Sequence, residues 1–160
     1  MDEALEKKFM LYFANAVASV YTKMLDFQPK MEGIKKEEKT WVKETGVITL
    51  VPFNGKFSGR LLLVFDPLSA LILHNEINGE STKTVNDETL FTHGEFGNIC
   101  AGHAITEINN AFRGSNVRLA PPSVFSGKEL TFFNFKMNHY SIVMAVMGGK
   151  LTLNVALKES

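Results

Sequence analysis

Hydrophobic residues recur at steps of three and four through Leu5, Phe9, Met10, Phe13, Val17, Val20, Tyr21, Met24 and Leu25. This spacing predicts an amphipathic helix over residues 4–26, closed by Pro29. Residues 30–40 are largely charged, carry no periodicity and read as a solvated connection. Val47 to Phe53 and Phe57 to Asp66 are β-prone runs joined through Asn54-Gly55, a dipeptide that tolerates the positive φ angles of a tight hairpin turn. Asp66-Pro67 pairs an N-cap with proline at the first helical position and opens a short helix through Ala70, Leu71, Leu73 and Ile77, ending near Gly79. After a polar loop to Val85, Asn86 or Asp87 caps a long helix that runs to about Phe112. There Arg113-Gly114-Ser115 supplies a basic residue and then glycine. Pro121-Pro122 exclude helix between Val117 and Phe125 and leave extended or edge-strand structure. Phe132 to Met147 and Leu151 to Leu157 read as strands, the two joined through Gly148-Gly149 in a second hairpin.

Helices interleaved with hairpins, rather than regular βαβ alternation, predict an α+β fold: an antiparallel sheet with two long helices packed on it, built from loosely duplicated helix-plus-hairpin units. At 160 residues and 45% hydrophobic, the chain reads as a single domain, 1–160, able to bury a core without metal or disulfide staples. Cys100 is the sole cysteine, which excludes an internal disulfide or a multi-cysteine zinc site and suits a reducing compartment such as the cytoplasm. With 17 Lys+Arg against 17 Asp+Glu, the chain has no basic footprint for nucleic acid or an anionic membrane. No run approaches the roughly 20 apolar residues of a membrane span. Thirteen Phe against three Tyr and one Trp place most aromatic weight in a core or a dry interface. A glycine-rich phosphate loop and a dinucleotide fingerprint are both lacking.

The long helix carries the candidate chemistry. Leu90, Gly94, Gly97, Ala101, Ala104, Ile105, Ile108 and Phe112 form one stripe, expected to face the core. Glu95 and Asn98 flank it, three residues apart on one face, with Gly102 between them in projection one turn further on. The polar side is expected to continue through Thr106 and Asn109. Three glycines in one helix cost roughly 1 kcal/mol each relative to alanine, so close packing on the sheet or close approach of a partner must compensate.

Glu95, two residues, Asn98, then twenty-two residues to Pro121 resembles the signature of the chemotaxis phosphatase families CheX and CheC: an acidic residue or Ser, three residues, Glu, two, Asn, twenty-two, Pro. Gly94-Glu95-Phe96-Gly97-Asn98-Ile99-Cys100-Ala101-Gly102-His103-Ala104 is similar to the CheX pattern GELxNMIAGNA, and Pro121-Pro122-Ser123-Val124-Phe125-Ser126-Gly127 to its PxVxxG continuation. The glycine-punctuated first hairpin, from Gly46 on, resembles the family's strand pair. Two positions depart: Phe91 stands where the signature has an acidic residue or Ser, and His103 replaces the Asn after Gly102.

The resemblance implies a CheC-like fold and hydrolysis of the aspartyl phosphate on a response-regulator receiver domain such as phosphorylated CheY. Asn98 would orient the attacking water and Glu95 would pair with a receiver lysine, while Gly102 and Pro121 would help dock the partner. This chain would bind no cofactor of its own, the Mg²⁺ residing on the receiver. The resemblance also implies a homodimer in which strands of two subunits join. A non-catalytic receiver-binding adaptor of the same fold is the second reading, kept open by Phe91. A hotdog-fold thioesterase is the third, since His93-Gly94-Glu95 stands early in a long helix accompanied by antiparallel strands.

The other candidates read as structural. His103 and Glu107, four apart, are expected to form a hydrogen-bonded surface pair rather than a metal site. His93 and His139 carry no spacing signal, Cys100 is expected to be a buried thiol, and Ser123 and Ser126 to be loop hydroxyls.

Overall fold

The structure is a computed structural model in which residues 1–134 and 136–160 are described. Its first helix, α1 (Glu3–Leu25), starts where the Asp2 side chain accepts from the Leu5 N–H at 2.7 Å and ends at Asp26 in the left-handed conformation. Two short strands follow in the segment read as a solvated connection, β1 (Lys30–Met31) and β2 (Lys35–Glu37). Both pair with β7 (Asn138–Val146). The sequence hid them because strands of two and three residues, mostly charged and none of them buried, carry no hydrophobic alternation, and only the partner strand defines them.

The first hairpin comprises β3 (Trp41–Asn54) and β4 (Phe57–Phe65), with Phe53 opposite Gly59. Its turn is therefore wider than the tight one predicted. Asn54 Oδ1 accepts from the Gly55 N–H and the Ser58 hydroxyl, both at 2.8 Å. β3 begins six residues before the predicted run and bends at a register shift between Glu44 and Gly46. Gly46 has φ +131°, and a Cβ there would lie 2.1 Å from the Phe65 carbonyl oxygen, so the bend admits only glycine.

α2 (Pro67–Asn78) and α3 (Asp87–Ala111) follow the sequence reading closely. Asp66 caps the first, and Gly79 ends it in the left-handed conformation. Asn86 caps the second through a capping box with Thr89. Beyond Phe112 the extended segment divides into β5 (Arg118–Leu119) and β6 (Ser123–Phe133), separated by the two prolines. Ser123 and Ser126, expected in a loop, are strand residues opposite Leu50 and Val47. The strand predicted from Phe132 to Met147 is two strands: β6 ends at Phe133 and β7 starts at Asn138, while Phe135, within the predicted run, lies outside the described residues. β7 joins β8 (Gly149–Glu159) through the two-residue turn Met147-Gly148.

All pairings are antiparallel, and the eight strands run β1-β7-β8-β4-β3-β5, with β2 also on β7 and β6 also on β3. The main core lies between the helices and one sheet face, where Phe9, Phe13 and Tyr21 of α1 and Phe96 and Ile108 of α3 meet Val51, Leu61, Phe65, Tyr140 and Leu153. On the other face, Val42, Leu130 and Phe132 fold over Ile48, Leu62 and Val64. Burial there lowers the Arg60 pKa to about 9, and the guanidinium donates to the Asn154 carbonyl at 2.9 Å and to Asn134.

His93 ties two helices together. Its Nε2 donates to the Ala70 carbonyl of α2 at 2.9 Å, and its ring meets Phe65 edge-on at 4.8 Å. Burial lowers its pKa to about 4, so the folded chain keeps it neutral while an unfolded histidine titrates near 6.5. The unfolded state therefore binds more protons between those values. The contribution is complete above about pH 6.5 and is lost as pH falls toward 4, up to about 3 kcal/mol. Urea melts at pH 7 and 4.5 should show a stability loss that is smaller in His93→Gln.

Candidate functional site

The start of α3 is set by its capping box, in which Asn86 Oδ1 accepts from the Thr89 N–H at 3.0 Å and Thr89 Oγ1 from the Asn86 N–H at 3.3 Å. Its rotation about the long axis is set by packing. Phe96, Cys100, Ala104 and Ile108 enter the core, and Gly94 and Gly97 bring the backbone down onto the sheet. A Cβ on Gly97 would stand 2.7 Å from Thr49 Cγ2, and one on Gly94 would stand 3.2 Å from Val124 Cγ2. A Cβ on Gly102 would meet nothing within 4 Å. Two of the three glycines thus serve close helix-to-sheet packing, and the third lies on the open side. The predicted core stripe is correct in direction but incomplete: the more deeply inserted side chains include His93, Phe96 and Cys100, while Leu90 and Phe112 are half-buried.

With this rotation fixed, Glu95 and Asn98 are both exposed, separated by about 60° around the axis and about 4.5 Å along it. Neither has a hydrogen-bond or ion-pair partner among the described residues. A carboxylate and a carboxamide without internal partners keep their full bonding capacity for something outside the chain. Pro121 is exposed at the β5–β6 junction, and β6 passes beneath the same part of α3 through the Val124–Gly94 contact. The polar side does not continue as expected. Thr106 is exposed, but Asn109 turns to hold the following loop, donating to the Val117 carbonyl at 2.9 Å and accepting from the Val117 N–H at 2.9 Å and the Ser115 hydroxyl at 2.8 Å.

Around Glu95 the surface divides at Phe91, which is 72% exposed. On one side lies an apolar groove of about 160 Å³, lined by Met24 of α1, Ile77 of α2, and Phe91, Glu95, Phe96 and Ile99 of α3. The opposite side is a larger polar hollow of about 510 Å³ bounded by His74, Glu80, Asp87 and Glu88. Sequence reasoning missed Met24 and Ile77 here, because both continue the apolar periodicity of their own helices and only the convergence of three helices brings them beside Glu95.

His74, Glu80 and Glu88 present ligand atoms within 4.8 Å of one another. Buried His74 is already engaged on both ring nitrogens, by Thr92 Oγ1 at 2.7 Å and Glu80 Oε2 at 3.1 Å, which makes it a tie between α2 and α3. His103 and Glu107 are exposed and form no ion pair among the described residues, so the expected surface pair is not made. They border a shallow groove with Tyr12 and Asn15 of α1. Cys100 is fully buried, which pushes its thiol far up and leaves it inert. His139 is also buried, hydrogen-bonded to the Lys39 carbonyl and to Asn154.

The glycine assignments predict opposite effects on stability. Gly97→Ala drives a methyl into the β-branched Thr49 and should cost about 1–3 kcal/mol. Gly102→Ala should gain up to about 1 kcal/mol from helix propensity alone. Denaturant melts of the two variants check both signs.

No curated protein sequence matches the chain. Among solved structures it is similar to a CheC-like superfamily protein from Shewanella sp. PV-4, with TM-score 0.85 and 20% identity over 99% of each chain. It is similar too to the chemotaxis protein CheX of Desulfovibrio desulfuricans, with TM-score 0.84 and 21% identity over 94% of this chain and 99% of that one. A third likeness is to the Borrelia burgdorferi CheX–CheY–BeF₃–Mg²⁺ complex, with TM-score 0.78 and 23% identity over 94% and 98%. At these identities the structures establish the CheC-like fold. The family model described as chemotaxis phosphatase CheX matches residues 47–145, a span that holds most of the first hairpin, α2, α3, β5, β6 and most of β7, and by that match the chain belongs to the CheX family.

Proposed function

We propose that this chain is a phosphatase of the aspartyl phosphate on a CheY-like receiver domain, with Asn98 orienting the attacking water and Glu95 pairing with a lysine of the receiver. The observation that carries the reading is the joint exposure of Glu95 and Asn98, both without partners among the described residues, on the open edge of α3 whose next turn carries unobstructed Gly102. The family of the chain and the complex formed by the Borrelia burgdorferi protein support the choice of partner.

The chemistry asks little of the protein. Phosphoryl transfer needs an in-line nucleophile and stabilised equatorial charge, and a receiver brings its own Mg²⁺ and lysine. What is missing is a held water. The Asn98 carboxamide can accept from that water at its oxygen and donate from its NH₂, so it aligns the nucleophile without adding negative charge beside the phosphoryl group. Glu95 could not replace it, because a carboxylate would repel the phosphoryl oxygens. It serves instead to hold α3 in register on the partner. Gly102 and Pro121 leave room for the receiver's backbone.

A second reading, a receiver-binding adaptor without useful catalysis, has Phe91 in its favour, since the signature's acidic or hydroxyl group is absent at that position. A hotdog thioesterase has no such support: its helix is sheathed by the sheet, whereas one side of α3 is open. Among the described residues β6 pairs with β3 alone, and the outer side of its Ser123–Thr131 stretch would take the strand of a second subunit in the homodimer that the family resemblance implies.

Single-turnover dephosphorylation of receivers from the same organism separates the two receiver readings. Asn98→Ala should slow turnover by roughly a hundredfold while the complex persists. Glu95→Ala should weaken association as well as turnover. Receivers that bind yet lose phosphate no faster than alone establish the adaptor. Sedimentation equilibrium should give twice the chain mass of 17.8 kDa, and a monomer at assay concentrations would remove the dimer.

A further inference from the structure

Among the described residues the most exposed large hydrophobic side chain is that of Phe91, which stands one helical turn from Glu95 at the divide between the apolar groove and the polar hollow. A solvent-facing phenyl ring costs transfer free energy and buries little of its own surface in the monomer. Its separation from Asn98 is seven residues, about 10 Å along the axis, too far for any part in holding the water. Met24, Ile77 and Ile99 are also exposed and line the same groove, so the apolar surface is contributed by all three helices. A space of about 150 Å³ takes a benzene ring, so this groove takes one large apolar side chain.

Its surroundings are acidic. From Glu76 to Phe112 the chain carries Glu76, Glu80, Asp87, Glu88, Glu95 and Glu107 against Lys83 alone, although the molecule as a whole is neutral. Asp87, Glu88 and Glu95 form no ion pair among the described residues. An apolar slot with the carboxylate of Glu95 on its wall, and those of Asp87 and Glu88 in the hollow across Phe91, is complementary to an apolar side chain flanked by cations.

We infer that Phe91, with Met24, Ile77 and Ile99, is the specificity clasp of this phosphatase: it grips one large apolar side chain that its receiver presents beside basic residues, with Glu88 and Glu95 meeting the cations. The inference rests on the receiver-directed reading and adds to it the surface chemistry by which the partner is chosen. The residue that departs from the signature then acts on recognition, leaving the water-holding group untouched. Receivers presenting an acidic residue in place of the apolar side chain are excluded, because the groove is apolar apart from Glu95, Asn78 and Thr92 and its one charged lining group is a carboxylate.

The test titrates the full chain with receivers of the same organism, each activated with beryllofluoride and Mg²⁺, and follows dephosphorylation of the same panel. Phe91→Ser, which restores a residue type of the signature, should weaken binding of the cognate receiver roughly tenfold, with the loss falling in KM and not in the saturated single-turnover rate. Ile77→Asn should weaken it similarly, and Glu88→Lys should slow association and flatten its salt dependence. Thermal melts confirm that each variant is folded. Binding by Phe91→Ser equal to that of the parent chain, a fall in the saturated rate with KM intact, or a change in self-association instead of receiver affinity would each overturn the clasp while Asn98→Ala still reports on the phosphatase. If no receiver binds or loses phosphate faster, and Asn98→Ala changes nothing, the receiver reading itself fails and the clasp with it.

Discussion

The close seating of α3 on the sheet governs everything exposed on its other side. A helix can rotate about its axis at small cost unless something keys it, and here the keys are steric and polar together. The side chains missing at Gly94 and Gly97 let the backbone reach Val124 and Thr49, and Phe96 and Cys100 fill the core on either side of that line. His93 then fastens the same turn to α2 through the Ala70 carbonyl. The glycines forfeit helix propensity, and the burial gained by close approach offsets it. A rotation of one residue, 100°, would carry Glu95 and Asn98 away from the open edge. Their exposure is thus a consequence of packing two turns deep, not a property of the surface.

Electrostatics builds on this frame. The chain is neutral overall, yet α3 and the end of α2 gather carboxylates almost free of cations, and the first turn of α3 adds Asp87 and Glu88 where the helix dipole tolerates them. Such a face attracts a basic partner from a distance and orients it before contact, an influence that acts on association rate more than on final affinity. A neutral body with one acidic face therefore biases which side of the molecule meets a cationic surface first, and that side carries the unpartnered Glu95 and Asn98.

Where local chemistry decides an element, the sequence made it readable. Asp66-Pro67 and Gly79 delimit α2, Asn86 caps α3, and the Glu95–Asn98 spacing places both groups on one helix face. Failures occurred where a distant partner decides. β1 and β2 are strands only because β7 lies beside them, and β6 runs through residues of which none is buried, so no apolar alternation marks it. Asn54-Gly55 was recognised as a turn, but the side-chain bonds of Asn54 widen it, and Gly55 is needed because the Asn116 carbonyl passes 2.5 Å from where its Cβ would be. Helical angle alone puts Asn109 on the polar side, whereas its three hydrogen bonds to Ser115 and Val117 depend on a loop whose path no periodicity records. The groove beside Glu95 carries no sequence signal for the same reason, since the ends of α1 and α2 and the N-terminal half of α3 build it together.

The division of labour on α3 follows from where each residue sits in the stack of turns. Core-facing positions are occupied by groups whose replacement would shift the whole helix, so they tolerate little change. Asn98 and Glu95 stand mid-helix, where neighbouring turns above and below hold the backbone rigid and small errors in side-chain position are least. Phe91 and Glu88 lie one and two turns nearer the N-terminus, at the rim where α1 and α2 also end. Substitution at that rim alters shape and charge without moving the backbone of the central turns. A fold arranged this way can vary shape and charge at the helix end while the geometry in the middle stays as the sheet sets it; in this chain Glu95 and Asn98 match the signature and position 91 does not.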